Sequence, residues 1–157
     1  MRQLILLRHA HAEPASAGQD DHDRPLSSLG LAEARAAGEW LRANGLQPDR
    51  VLCSSALRTR QTLDTLGELG DAERRQEPSI YEASPGTLAA LADANNDAGC
   101  LLLIGHNPGL EQLAALMHSG QTGDYRGMPP AAIAVLDLPA GAVIEPGIAR
   151  LSAFWWP

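Results

Sequence analysis

Hydrophobic positions along the chain fall into short continuous runs, separated by stretches in which they recur every three or four residues. Leu4-Ile5-Leu6-Leu7 is continuously apolar, the pattern of a strand buried on both faces. A polar segment follows from His9 to Pro25, with Pro14, Gly18 and the charged string Asp20-Asp21-His22-Asp23. A connection of that length in a compact chain is usually functional or disordered. Leu29, Ala32, Ala36, Trp40 and Leu41 then repeat at helical spacing, and Asn44-Gly45 closes that helix. Val51-Leu52-Cys53 reads as a second short strand. It leads through Ser54-Ser55 into a helix that carries Leu57, Leu63 and Leu66 and runs to about Gly70. After a charged stretch from Asp71 to Pro78, Ile80-Tyr81 reads as the end of a weak third strand. Leu88, Leu91 and Ala92 mark a helix after Pro85-Gly86, and Cys100 to Ile104 forms the strongest strand of all. Leu110, Leu113, Ala114 and Met117 mark the next helix. A loop over Gly120 to Pro130, a strand over Ala131 to Leu138 and a last strand including Ala149 to Trp155 complete the chain.

Strands alternating with helices predict an α/β fold, a three-layer sandwich with a largely parallel central sheet flanked by helices. No repeat, low-complexity tract or linker divides the chain, so residues 1–157 are expected to form a single domain. A hydrophobic content of 45% against 20% charged residues argues against disorder. Aromatics at 4% leave the core to Leu, Ala, Val and Ile. The formal net charge is −7, and all 12 cations are arginine. A chain this acidic lacks the basic surface that nucleic acid or an anionic membrane would require, so neither is expected as a partner. No run approaches the ~20 apolar residues of a bilayer span. The Leu4–Leu7 run is also shorter than the about 7–15 apolar residues of a secretory signal, and a cytoplasmic location is expected. Cys53 and Cys100 lie in apolar stretches and are expected to be small core hydrophobes in a reducing compartment.

In sheets of this type, function gathers beyond the carboxyl ends of the strands. The first strand delivers Arg8-His9-Ala10-His11, the second Ser54-Ser55-Ala56-Leu57-Arg58, and the fourth Gly105-His106-Asn107-Pro108-Gly109. The weaker third end delivers Tyr81-Glu82-Ala83-Ser84-Pro85. Two guanidiniums offer planar forks of donors suited to phosphate oxygens. Asn107 as N-cap and Pro108 at the first helical position would open a helix whose N-terminus is a natural anion site. A histidine among these groups can attack phosphorus through a neutral ring nitrogen, and a carboxylic acid opposite can protonate the leaving group. The combination points to phosphoryl transfer through a covalent phosphohistidine.

Leu7-Arg8-His9-Ala10 resembles the Arg-His-Gly signature of the histidine phosphatase superfamily, the phosphoglycerate mutase-like proteins. The likeness continues through Asp23-Arg24-Pro25-Leu26-Ser27 and Gly30, then Ser54-Ser55, Arg58-Thr59 and Gln61-Thr62, and ends at Gly105-His106-Asn107-Pro108. The short chain and the Arg-His-Ala variant are most similar to the SixA-type phosphohistidine phosphatases; Ala10 replaces the commoner glycine. The resemblance implies that His9 is the nucleophile, that Arg8, Arg58 and His106 form the phosphate pocket, and that Glu82 is the proton donor. It places Arg24 near the pocket entrance and implies the family's fold without a large cap. His11, His22 and His118 are expected to be solvent-facing or capping groups.

Two other chemistries compete. His9-x-His11 with Asp20, Asp21, His22 and Asp23 offers metal-ligand residue types, but the spacing matches no ligand motif, and acids in a long loop are ordinarily hydrated. A barrel-type metallohydrolase would also need ~250 residues. No metal or cofactor is expected. Cys53 precedes Arg58 with four residues between them, where cysteine phosphatases, by resemblance, need five. The substrate expected is a phosphohistidine on a signalling or phosphocarrier protein, because short connections leave the pocket open. The alternatives are a small phosphorylated metabolite taken by a broad phosphomonoesterase, or a phosphate-binding module without catalysis. Trp155-Trp156 packs either on the core or on a partner.

Overall fold

The computed structural model describes residues 1–123 and 127–157. The element order is β1 (Gln3–Arg8), α1 (Ser28–Ala43), β2 (Arg50–Cys53), α2 (Leu57–Leu66), β3 (Glu73–Gln76), α3 (Pro85–Ala94), β4 (Cys100–Gly105), α4 (Gly109–Ser119), β5 (Ile133–Asp137) and β6 (Arg150–Trp155). Short 3-10 turns form at Asp21–Asp23 and Pro78–Ile80. The six strands make one sheet in the order β3-β2-β4-β1-β5-β6. The pairs β3–β2, β2–β4 and β4–β1 are parallel, while β5 runs antiparallel to both β1 and β6.

Alternation along the central strands builds the layers. Leu4 and Leu6 of β1, with Leu101 and Leu103 of β4, join Leu88 of α3 and Leu110 and Leu113 of α4 on one face. Ile5 and Leu7, with Leu102 and Ile104, join Ala37 and Leu41 of α1 and Leu63 and Leu66 of α2 on the other. Each strand is therefore apolar on both sides, which is why its sequence is a continuous run and not an alternating one. Register sets the site: Arg8 lies beside Gly105 across β1–β4, so His9 and His106 leave the sheet as neighbours.

Several expectations need correction. The third strand is Glu73–Gln76, fully exposed and inside the stretch read as charged connection, while Ile80-Tyr81 belongs to the 3-10 turn and its end. α2 stops at Leu66, short of Gly70, because Gly67 takes φ +85°. The N-cap of α4 is Pro108 and not Asn107, with no side-chain cap bond; Asn107 instead reaches forward to accept from the Glu111 N–H at 3.3 Å. Of the loop read over 120–130, residues 124–126 lie outside the described residues. At the C-terminal end Trp155 stacks on Trp40 of α1 with ring centroids 5.5 Å apart, whereas Trp156 is 55% exposed. Among the described residues no helix is long and apolar enough to cross a membrane.

Candidate active site

His9 follows β1 directly, and its backbone is tied on two sides: its N–H donates to Gly105 at 3.0 Å, and its carbonyl accepts from Ala131 at 3.1 Å. The ring Nδ1 lies 2.7 Å from the Ala10 carbonyl. A carbonyl can only accept, so Nδ1 carries the proton and Nε2 keeps the lone pair. Burial, followed by the nearby Arg58, Arg8 and Arg24 charges, lowers the His9 pKa to about 4, against an ordinary 6.5. The imidazole is thus neutral across the physiological range.

The motif residues downstream of His9 hold this turn in place. Ala10 N–H donates to Thr62 Oγ1 at 3.1 Å, and the same hydroxyl donates to the Arg58 carbonyl at 2.7 Å. Leu26 N–H donates to Gln61 Oε1 at 2.7 Å, and Ser27 N–H to the His11 carbonyl at 3.0 Å. Ser27 also caps α1 through the Gly30 N–H. Gly30 is required by contact: a Cβ there would collide with the His11 carbonyl. His11 itself is exposed and bonds Ser27 Oγ at 2.6 Å, the capping surroundings expected of it.

Arg8, Arg58 and His106 surround the histidine. Arg8 Nη1 donates to the Met128 carbonyl at 2.8 Å, and Asn107 donates to the same carbonyl at 2.9 Å, so the two strand ends share one anchor. Burial lowers the Arg8 pKa from its ordinary value, partly offset by Glu111 and Glu33. Arg58, 6% exposed, gives both terminal nitrogens to Asp21: Nη1 to its carbonyl at 2.7 Å and Nη2 to Oδ2 at 2.9 Å. The His106 ring centroid is 5.3 Å from that of His9, and His106 Nε2 lies 2.7 Å from Ser54 Oγ. Ser54 Oγ also accepts from the Ala56 N–H at 3.3 Å; when its hydroxyl donates to Nε2, the His106 ring proton sits on Nδ1. Burial, then the His9 and Arg58 charges, lowers the His106 pKa to about 3. Among the described residues the Nε of Arg8, the Nε of Arg58 and Nδ1 of His106 are buried and have no hydrogen-bond partner. Buried groups of this kind beside His9 suit the oxygens of a tetrahedral anion.

Glu82 stands apart from this cluster. It is exposed, follows the 3-10 turn, and takes φ +58°, a left-handed conformation that costs roughly 1–2 kcal/mol for a residue with a Cβ. Glu82 and Arg58, with Asp21, Tyr81, His106 and Gln112 among others, line a cavity of about 430 Å³. Asn107 and Pro108, which open α4, line it too.

Asp21 and Tyr81 are participants that the sequence did not reveal. Asp21, read as one of a hydrated run of acids, accepts from Arg58, from Tyr81 Oη at 2.6 Å and from Arg24 Nη1 at 3.0 Å. The Tyr81 hydroxyl, Arg24 and Arg58 together hold its carboxyl far below the usual carboxylate range, and the Tyr81 hydroxyl is raised in turn. His22 is half-buried and still reaches solvent, its side chain 38% exposed: Nε2 lies 2.9 Å from Ser55 Oγ, and its ring meets the Tyr81 ring edge-on at 5.0 Å. His118 is half-buried at the last turn of α4. Cys53 is buried, and burial pushes its thiol up to about 12, as befits a core residue. Among the described residues no group of three or more His, Cys, Asp or Glu is arranged to hold a metal ion.

A model of the histidine phosphatase superfamily, branch 1, matches residues 4–100. The chain belongs to the histidine phosphatase superfamily. It is 40% identical, over 96% of its length and 99% of the relative's, to an uncharacterised protein of Mycobacterium tuberculosis. It is 31% identical to the Escherichia coli phosphohistidine phosphatase SixA, over 76% of each chain. Among solved structures, the protein histidine phosphatase SixA complexed with tungstate superposes with a TM-score of 0.82 at 27% identity, covering 99% of this chain and 97% of that one. Membership of this superfamily, with SixA among its relatives, supports a phosphatase activity for the chain.

Proposed function

We propose that the protein is a phosphatase that works through a phosphohistidine intermediate on His9 and acts on phosphohistidine carried by another protein. The observation that carries this reading is the His9 imidazole: its proton is fixed on Nδ1 by the Ala10 carbonyl, and it stays neutral beside three buried nitrogens, of Arg8, Arg58 and His106, that have no partner among the described residues.

In this reading the lone pair on Nε2 attacks phosphorus, forming one P–N bond as the bond to the leaving group breaks. Arg8, Arg58 and His106 hold the equatorial oxygens, and the two guanidinium charges with the fixed donors stabilise the transition state without reorganisation. Water then attacks phospho-His9. A P–O bond forms, the P–N bond breaks with its electron pair returning to Nε2, and Glu82 takes the proton from water. The tungstate bound by the related SixA structure supports an oxyanion site in the fold.

Leaving-group chemistry favours the substrate class. A departing imidazole has a conjugate-acid pKa of about 6.5, so its transfer to His9 exchanges one P–N bond for a similar one and needs little acid assistance. The SixA relative, named a phosphohistidine phosphatase, supports the same choice. Glu82 favours a second reading, a broad phosphomonoesterase, since an alcohol leaving group depends on an acid at the cavity wall. Phosphate release from a phosphohistidine peptide and from its phosphoserine counterpart separates the two. A preference of kcat/KM for phosphohistidine is expected, with turnover that survives a chelator; a preference for phosphoserine overturns the substrate assignment.

A further inference from the structure

We propose that the outer part of the cavity is an acidic leaving-group subsite in which Asp21 and Glu82 select phosphoryl donors whose leaving group carries a positive charge or an N–H, and disfavour anionic ones. The inference rests on the phosphatase reading and concerns the half of the site that faces away from the phosphoryl group.

Two kinds of residue line this cavity. At its wall lie Arg58 and His106, 6% and 9% exposed, each with a buried ring or guanidinium nitrogen that has no partner among the described residues. These mark where the anion sits. The remaining polar wall includes Asp21, Glu82 and Tyr81. Asp21 is fixed: Oδ2 accepts from Arg58 and Tyr81, and Oδ1 accepts from Arg24, which leaves Oδ1 capacity for a further donor. Glu82 is exposed and makes no hydrogen bond among the described residues.

Charge balance decides the preference. Arg8 and Arg58 together offset a phosphoryl dianion, and Arg24 offsets Asp21 at 3.0 Å. Glu82 is left uncompensated, so the occupied site carries one negative charge where the leaving group lies. A protonated imidazole, with its proton on the ring nitrogen distal to phosphorus, cancels that charge and can donate to a carboxylate. When the P–N bond breaks, its electron pair goes to the proximal nitrogen and the ring departs neutral. A carboxylate-bearing leaving group would instead add a second negative charge beside two acids. Tyr81, whose ring stands edge-on to His106 at 5.4 Å, supplies a flat wall suited to an imidazole or an aliphatic stem.

Two small esters of similar size test this without relying on phosphohistidine: phosphoethanolamine, with an ammonium, and phosphoglycolate, with a carboxylate. The full-length protein is expected to favour phosphoethanolamine in kcat/KM on the order of tenfold. Glu82→Gln and Asp21→Asn should each shrink that ratio several-fold. Because both substrates are esters, loss of a proton donor or of Arg58 alignment lowers both constants and cancels in the ratio. A wild-type ratio near one, or a ratio that both variants leave unchanged, overturns the subsite. The same ratio is read as Kd by calorimetry on the His9→Ala variant, so a protein that turned over neither ester would still report it. Failure of the wild-type protein to release phosphate from a phosphohistidine peptide, with the binding ratio intact, would remove the phosphatase reading and leave the subsite standing.

Discussion

Lowering the pH from 7 to 5 separates the proposed nucleophile from an ordinary histidine. An ordinary imidazole is roughly 3% neutral at pH 5, whereas one that titrates near 4 is roughly 90% neutral, a difference of about 30-fold in competent nucleophile. Burial and the Arg58, Arg8 and Arg24 charges place His9 in the second class, at about 4. An NMR titration of the His9 Cε1 proton, assigned by its disappearance in a His9→Gln variant, reads this directly and is independent of the substrate's own ionisation. The expected midpoint lies near 4, with no inflection between pH 6 and 7. The same shift has a cost in stability. A group whose folded pKa lies below its unfolded value leaves the unfolded chain binding more protons, so stability falls as pH drops below about 6.5 and continues to fall until the folded pKa is reached. Between pH 7 and pH 5 this amounts to about 2 kcal/mol at most for each of His9 and His106, the latter at about 3. Urea unfolding at the two pH values should show that loss, and His106→Asn should reduce it by about half. A His9 midpoint near 6.5, together with stability flat between pH 5 and 7, would refute the claim that the buried, cationic surroundings set the protonation state.

Three substitutions test other parts of the site. Glu82→Gln should lower kcat/KM on a phosphate monoester about 100-fold and on a phosphohistidine peptide less than tenfold, measured side by side; equal losses would count against the phosphohistidine assignment. Arg58→Lys keeps the charge but loses the fork that spans the Asp21 carbonyl and carboxylate, so kcat should fall on the order of 100-fold in steady-state assays, and unchanged turnover would show that charge alone suffices. Gly30→Ala should destabilise the fold by roughly 1–3 kcal/mol in urea unfolding, because its Cβ meets the His11 carbonyl, a backbone atom that can yield only by moving the turn after His9.

Elements buried on both faces were the most legible in the sequence. Leu4–Leu7 and Cys100–Ile104 are apolar without a break because α1 and α2 cover one side of the sheet while α3 and α4 cover the other. β3 escaped because Glu73-Arg74-Arg75-Gln76 pairs only with β2 at a sheet edge, where backbone hydrogen bonds define the strand and charged side chains discourage further pairing. Arg8, His9 and His106 were readable because each lies at or just beyond a strand end, and Arg58 because it lies in the first turn of the helix that follows β2; the topology brings these ends together. Asp21 and Tyr81 were not. Their contacts with Arg58 and with each other span 37 and 60 residues, inside connections that have no periodicity to place them. The signal that was present, four acidic or histidine residues in a row at 20–23, pointed equally to hydration.

The acidic composition, which argues against polyanionic partners, coexists with Arg8 and Arg58 beside His9, each with a buried guanidinium nitrogen that has no partner among the described residues. The most direct measurement is to mix the protein with a 32P-phosphohistidine peptide, quench in alkali within milliseconds, and locate the label by peptide mapping. Alkali-stable, acid-labile phosphate is expected on His9, appearing before free phosphate and absent from His9→Gln. Phosphate released with no label on His9, or peptide bound with no transfer at all, would contradict it.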